Sequence, residues 1–313
     1  MKRMPKFSIP LRLLTVVCVG WIAVAGLRPA HASLPRVPNF AVQKEHTAIL
    51  HDNSTPEGSL LPIAFGPGAA RQATDLAGNR MQPLIVPSAQ DGSTRHCTTD
   101  GDWCVAIEEE DGALVAVLDA RNTGAATRIK LPYLPDYGGV DHSTTAIWPF
   151  MIQMTGGGSL FGITRADHTA YSGGGAFVST LALYRALPDE TPQLVAELDW
   201  HSSEMIRACF SEQDYRDRRG ACHDGYRFSA NLTLDKDGEP DAPVLRYRVI
   251  STSFPGRVSR SGSEVRARRL RKRDLVDVTD PTCSFSRKLQ FDRATGAYKL
   301  DAPLPDCSDF RSL

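Results

Sequence analysis

The chain has 313 residues, of which 42% are hydrophobic, and its 36 basic and 36 acidic residues leave no net charge. This apolar content is enough to build a core, which excludes a globally disordered chain. The sequence contains no complete catalytic signature. Its informative features are those that indicate cellular location, fold and surface chemistry.

The first 32 residues have the three parts of a secretory signal. A basic start is followed by an apolar run over residues 13–27 and by Ala30-His31-Ala32 before Ser33. Cleavage is expected after Ala32, which predicts export to the periplasm or the extracellular space. The apolar run has 15 residues, whereas a membrane-spanning helix needs about 20, so no transmembrane anchor is expected after cleavage.

Cleavage also changes the charge of the protein. Residues 1–32 hold five basic residues and no acidic one, so the mature chain of 281 residues keeps 31 basic and 36 acidic residues. A mildly acidic, soluble protein is expected. Its length suits one large all-β domain or two smaller domains.

Residues 33–96 are rich in Pro, Gly, Ser and Asn, with short apolar stretches at residues 60–65 and 83–86. Prolines at this density disfavour both helices and central strands. The sequence therefore predicts an irregular N-terminal arm with one or two edge strands.

Six cysteines remain after cleavage and are expected to brace a domain over residues 97–313. An even count in an exported chain indicates disulfides, and short spacings favour pairing between neighbours. Each closed loop would stabilise the fold by about 2–4 kcal/mol. Metal ligation with His96 and His223 is the alternative, but no Cys-x-x-Cys pair supports it. The predicted pairs are Cys97 with Cys104, Cys209 with Cys222, and Cys283 with Cys307.

From Cys104 onward the pattern is typical of β-hairpins. Asp111-Gly112 and Thr295-Gly296 each separate two apolar runs, and residues 188–192 contain two prolines that favour a reversal. The best candidate for a short helix is residues 203–218. The predicted fold class is all-β, with antiparallel hairpins forming a sandwich or a small propeller-like domain.

The sequence contains parts from which a serine hydrolase could be built. Asp141-His142 and Asp167-His168 each join a carboxylate to an imidazole, and Ser159 and Ser172 lie in glycine-rich segments. Neither serine has the Gly-x-Ser-x-Gly context. Adjacent residues on a strand also point to opposite faces, so such Asp and His neighbours seldom hydrogen-bond. Surface histidines and loop glycines are the simpler interpretation.

Residues 233–241, TLDKDGEPD, place three aspartates around a glycine. The stretch resembles the calcium loops of integrin-type propellers at Asp235, Asp237, Gly238 and Asp241. That resemblance implies calcium ligation by the three aspartates. The resemblance covers only nine residues and departs at Thr233, where the family has a carboxylate. A plain turn with a glycine at positive φ needs no cation and is the simpler interpretation.

Residues 257–273, called the basic segment, carry eight basic residues and one acidic residue, Glu264. A basic run on an otherwise acidic chain can dock an anionic polymer, surface or protein. A solvated loop, or arginines paired with the protein's own acids, is the simpler alternative. Nucleic acid is not expected, because no aromatic residues interleave the run. The candidate docking residues are Arg266, Arg268, Arg269, Arg271, Lys272 and Arg273.

Two functional hypotheses follow from these features. The first is an exported binding or interaction protein without catalytic activity. The second is an exported serine-type hydrolase that uses Ser159 or Ser172 with His142 or His168.

Overall fold

The computed structural model describes residues 73–86, 95–111, 113–120, 126–131, 142–256 and 269–311. The predicted signal, most of the predicted arm and residues 257–268 of the basic segment lie outside these ranges. The described chain is almost entirely antiparallel β-structure, which confirms the predicted class. The strands are β1 (Ala73–Thr74), β2 (Arg80–Ile85), β3 (His96–Thr98), β4 (Trp103–Glu110), β5 (Ala113–Ala120), β6 (Ala126–Lys130), β7 (His142–Gln153), β8 (Ser159–Tyr171), β9 (Gly174–Ala186), β10 (Gln193–Arg207), β11 (His223–Glu239), β12 (Ala242–Phe254), β13 (Val278–Thr279), β14 (Phe285–Asp292) and β15 (Ala297–Leu300).

The strands form one sheet with the order β15-β14-β12-β11-β10-β9-β8-β7-β2-β3-β4-β5-β6. Two short strands lie off this path, because β1 pairs with β2 and β13 pairs with β12. Along the path, most hydrogen-bonded neighbours are also neighbours in sequence, and the exceptions are β7 with β2 and β12 with β14. The meander from β7 to β12 therefore places alternate hairpin turns at the same end of the sheet.

Alternating polarity along the strands determines which face is buried. In β12, Leu245, Tyr247 and Val249 are buried, whereas Arg246 and Arg248 between them are exposed. Because side chains on a strand alternate between faces, this pattern fixes the register of β12 against its neighbours.

Two apolar clusters cover opposite faces of the central strands. Leu160 belongs to a cluster with residues from β2, β7, β9 to β12, β14 and β15, and its neighbour Phe161 belongs to a second cluster with residues from β2, β4, β5, β7 and β9. Both side chains are fully buried. Since adjacent residues point to opposite faces, β8 is covered on both sides. Full burial of an aliphatic or aromatic side chain of this size contributes about 1.5–3 kcal/mol.

The prediction of edge strands in the arm is wrong for β2, which pairs with β7 over Arg80–Pro83 and with β3 over Leu84–Ile85. Pro83 is tolerated in β2 because of the positions at which the neighbouring strands pair with this strand. Pro83 pairs with Phe150 on one side, while on the other side β1 reaches only Met81 and β3 begins at Leu84. Pro83 thus has a ladder partner on one side only, which resembles the edge positions where strands tolerate proline.

The predicted helix over residues 203–218 is also mostly wrong, because β10 continues to Arg207. Only α1 (Glu212–Asp217) is helical, and Ser211 caps it by accepting a hydrogen bond from the Asp214 N–H. Two short 3-10 turns lie at Lys272–Asp274 and Ser308–Phe310.

The predicted cysteine pairing is confirmed. Cys97 and Cys104 lie directly opposite each other on β3 and β4, with their Cα atoms 4.0 Å apart. The second disulfide closes the loop between β10 and β11, and the third ties the start of β14 to the C-terminal 3-10 turn. These bonds join Cys209 to Cys222 and Cys283 to Cys307.

Candidate functional site

The structure separates the serines from the histidines proposed for a hydrolase. Ser159 is fully buried at the start of β8, and its Oγ has no hydrogen-bond partner among the described residues. His168 lies nine residues further along the same strand, which corresponds to roughly 30 Å at about 3.3 Å per residue. Ser172 lies in the turn after β8, directly past Tyr171, which is three residues or roughly 10 Å along the strand from His168. Neither serine is therefore within hydrogen-bond reach of His168.

The two histidines face each other on neighbouring strands. His142 pairs with His168 in the register of β7 and β8, and their rings stack with centroids 4.4 Å apart. Asp167 instead accepts hydrogen bonds from Ser143 and Arg165. Burial, followed by the charge of His142, lowers the pKa of His168. Asp167 and His168 thus have separate partners, as the alternation of strand side chains predicts, whereas Asp141 lies outside the described residues.

A third histidine, His201 on β10, is partly buried beside Trp200. Its Nδ1 lies 3.4 Å from Ser229 Oγ, and burial lowers its pKa to about 4. The nearby Asp199 carboxylate pairs with Arg311. No group of three His, Cys, Asp or Glu side chains within the described ranges is placed to hold a metal ion.

The TLDKDGEPD stretch is mostly strand, which corrects the prediction of a plain turn. β11 continues to Glu239, and only Pro240 and Asp241 separate it from β12. A register shift between Leu234 and Gly238 places a bulge in this strand. Gly238 does not have positive φ. It is required for close packing instead, because a Cβ there would lie 2.4 Å from Asp75 Oδ2.

We call residues 235–241 the aspartate hairpin. Basic side chains pair with its aspartates. Asp235 is buried and pairs with Arg246 and, at 3.6 Å, with Lys288. Asp237 pairs with the same lysine at 2.9 Å. Burial raises the pKa of Asp235, but hydrogen bonds from the Asp237 N–H and from Arg246 outweigh it and leave this pKa below its usual value.

The third aspartate has its own cation. Arg293 donates to both carboxylate oxygens of Asp241, at 2.8 and 2.9 Å, and also donates to Glu239 at 2.5 Å. The hydrogen bonds from Arg293 lower the pKa of Asp241 to about 2. Arginine and lysine thus supply the positive charge that calcium would bring to these carboxylates.

A buried asparagine fastens the aspartate hairpin to the rest of the sheet. The Asn79 amide donates to Asp75 Oδ2 at 2.7 Å and to the Glu239 carbonyl at 2.8 Å, and its oxygen accepts from the Thr155 N–H at 2.9 Å. Asn79 is fully buried. One side chain therefore joins the turns before β2, before β8 and before β12, which gives the aspartate hairpin a structural role.

The described part of the basic segment is held against α1 and the turn that follows it. Leu270 is buried, its N–H donates to the Asp217 carbonyl, and its own carbonyl accepts from Arg219. Arg269 pairs with the Asp217 carboxylate at 3.1 Å. Of the predicted docking residues, Arg269 therefore has an acidic partner, and Arg266 and Arg268 lie outside the described residues.

The next three residues, Arg271, Lys272 and Arg273, point their charges into solvent. All three are exposed, and none forms an ion pair with a described residue. Asp274 accepts a hydrogen bond from the Arg271 N–H and donates its own N–H to the Arg271 carbonyl, which fixes the backbone of this turn. Three consecutive cations are thus displayed on an ordered support.

The sequence pattern did not reveal the exposed aromatic residues of the loop that supports this turn. Phe210 and Tyr215 are 73% and 59% exposed, and both lie in the loop closed by the Cys209–Cys222 disulfide. The sequence signal that could have found them is a short disulfide loop containing two aromatic and three arginine residues, because such a loop cannot bury all of these side chains.

Scans against protein-family models, curated proteins and solved structures each gave no match to this chain. Among the residues that the structure describes, no helix is long and apolar enough to cross a membrane.

Proposed function

We propose that the protein is an exported binding protein that docks an anionic ligand through Arg271, Lys272 and Arg273. This proposal rests on a difference between two groups of surface cations, of which only one pairs with described carboxylates. Around the aspartate hairpin, Arg246, Lys288 and Arg293 each pair with a carboxylate. Arg271, Lys272 and Arg273 have no such partner among the described residues.

The ordered support of these cations favours binding. Leu270 anchors one side of the turn, and the Gly256 N–H donates to the Asp274 carbonyl at 2.8 Å on the other side. A turn held in place on both sides loses little conformational entropy when a ligand binds. The backbone bonds on both sides of the turn therefore support a docking role over that of a loose solvated loop.

Export is supported by the predicted signal and by the three disulfides, which persist in oxidising compartments. Export predicts a mature chain that begins at Ser33, which an intact-mass measurement on secreted material would check. The separation of Ser159 from His168 along β8, and the position of Ser172 in the turn after that strand, support the binding proposal over the hydrolase alternative.

Binding to heparin, a polyanion without an apolar phase, tests the proposal. We would measure binding to immobilised heparin at several salt concentrations. Each exposed Lys or Arg near an anionic surface contributes about 1 kcal/mol, so replacing all three by Gln should weaken binding roughly 100-fold at low salt. Binding should also weaken steeply as salt rises, because exposed charges are screened over about 8 Å at physiological ionic strength. The melting temperature should not change, since none of the three pairs with a described acid.

A matched control removes three exposed cations elsewhere, in Lys130→Gln/Lys236→Gln/Arg248→Gln. This variant should keep wild-type heparin affinity, because its charges lie on β6, β11 and β12. Equal losses in the two triple variants would show that only net charge matters and would overturn the assignment to this turn. Absence of heparin binding by the wild-type protein at low salt would contradict the docking proposal itself.

A further inference from the structure

A continuous row of contacts runs from the β8–β9 turn into the disulfide loop. The Tyr171 hydroxyl donates to the Met205 carbonyl at 3.0 Å. Gly173, at positive φ, lies against Arg207, because a Cβ there would be 2.5 Å from Arg207 Cδ. The Arg207 guanidinium in turn lies over the Phe210 ring, 5.2 Å from its centroid. One end of the sheet therefore carries exposed aromatic side chains on a packed support.

The same row of contacts reaches the proposed docking cations. The Phe210 N–H donates to Asp214 in α1, and Asp217 at the end of α1 holds Arg269 and Leu270. We call this end of the sheet, from Tyr171 through the disulfide loop to Arg273, the docking face. It combines Arg271, Lys272 and Arg273, which form no ion pair with a described residue, with large apolar side chains that remain exposed to solvent.

Attraction between charges does not explain why the docking face also exposes apolar side chains. Met205, Phe210 and Tyr215 are 48%, 73% and 59% exposed. A soluble polyanion offers phosphate or sulfate groups to the cations but no apolar phase to these side chains. The interface of an anionic bilayer offers both, because aromatic rings and arginine stems are buried at the headgroup boundary while the charges meet phosphates.

We propose that the docking face attaches the protein to a lipid bilayer with anionic headgroups, with Phe210 and Tyr215 entering the interface. This inference rests on the proposed function and specifies its ligand. The Cys209–Cys222 disulfide and the Ser211 cap hold the loop in place before binding, so little ordering entropy opposes attachment.

Sedimentation with vesicles of phosphatidylcholine alone, or of phosphatidylcholine mixed with phosphatidylglycerol, tests the inference. The wild-type protein should sediment with the mixed vesicles and much less with the neutral ones. Phe210→Ala/Tyr215→Ala should weaken vesicle binding roughly tenfold or more, because the apolar insertion is lost. The same variant should keep wild-type affinity for heparin, which has no apolar phase.

Two further variants separate insertion from misfolding. Phe210→Leu/Tyr215→Leu keeps apolar bulk and should retain most vesicle binding. Leu76→Ala/Leu194→Ala removes two exposed apolar side chains outside the docking face and should bind vesicles as the wild-type protein does. Melting temperatures of all variants establish that they are folded.

The outcomes separate this inference from the proposed function. Heparin binding without vesicle binding would overturn the bilayer proposal and leave anion docking in place. Vesicle binding that survives Phe210→Ala/Tyr215→Ala would also overturn it, because attachment would then be electrostatic alone. Absence of both kinds of binding would refute the proposed function as well.

Discussion

The buried asparagine that fastens the aspartate hairpin provides a sharp test of the fold. Asn79→Ala removes two donors and one acceptor from a fully buried position. The Glu239 carbonyl and the Thr155 N–H would each lose the partner that Asn79 provides. Among the described residues, buried Asp75 would keep only the hydrogen bond that the Asn79 backbone N–H donates to its side chain.

The expected loss follows from counting these groups. A buried polar group that loses its partner costs about 1–3 kcal/mol, and three groups are affected. Some relaxation will occur, so we expect Asn79→Ala to lower the free energy of unfolding by about 3–5 kcal/mol. Folded domains are stable by about 5–15 kcal/mol, so the variant should fold but unfold at a markedly lower urea concentration.

Urea unfolding at pH 7, with all disulfides intact, measures this loss. Asn231→Ala is the control, because it removes the same side chain from a partly buried position where no side-chain hydrogen bond to a described residue is found. We expect this control to cost less than about 1 kcal/mol. A similarly small loss for Asn79→Ala would refute the argument that this side chain fastens the aspartate hairpin.

A double-mutant cycle sharpens the test. Gly238→Ala should destabilise the wild-type protein because its Cβ would lie 2.4 Å from Asp75 Oδ2. In the Asn79→Ala background Asp75 Oδ2 loses the side-chain hydrogen bond from Asn79 and can move aside more easily. The cost of Gly238→Ala should therefore be smaller in that background, and strictly additive costs would contradict the proposed coupling.

Three other predictions concern stability. Burial lowers the pKa of His201 from 6.5 to about 4, so the unfolded state takes up this proton first and stability falls between those pH values as pH decreases. Replacing His201 by Gln should remove part of that fall, as measured by urea unfolding at pH 7 and near pH 4. Replacing Cys209 and Cys222 by Ala should lower the free energy of unfolding by about 3 kcal/mol, because a short loop is no longer closed. A chelator should leave the melting temperature unchanged, and a calcium-dependent rise abolished by Asp237→Ala would restore the cation-site interpretation.

The local features of the fold were predictable because their signals are local. The turn before β15 has Gly296 at φ 68°, as its Thr-Gly sequence predicts, and each disulfide joins cysteines close in sequence. The helix prediction was mostly wrong because Ser203–Arg207 continues β10 and pairs with β9 and β11. Those partners lie elsewhere in the chain, and their ladder bonds override a weak local helical preference.

The sequence by itself determined the all-β class, the neighbour pairing of the cysteines and the local excess of basic charge, because each depends on residues close together in the chain. Only the tertiary structure decided which polar groups pair with one another. Arg293 reaches Asp241 across 52 residues, and Asn79 reaches Glu239 across 160. Whether an aspartate pairs with an arginine or stays available to a cation, and whether a serine meets a histidine, depends on such distant segments. That pairing is set by how the sheet packs, which no local pattern contains.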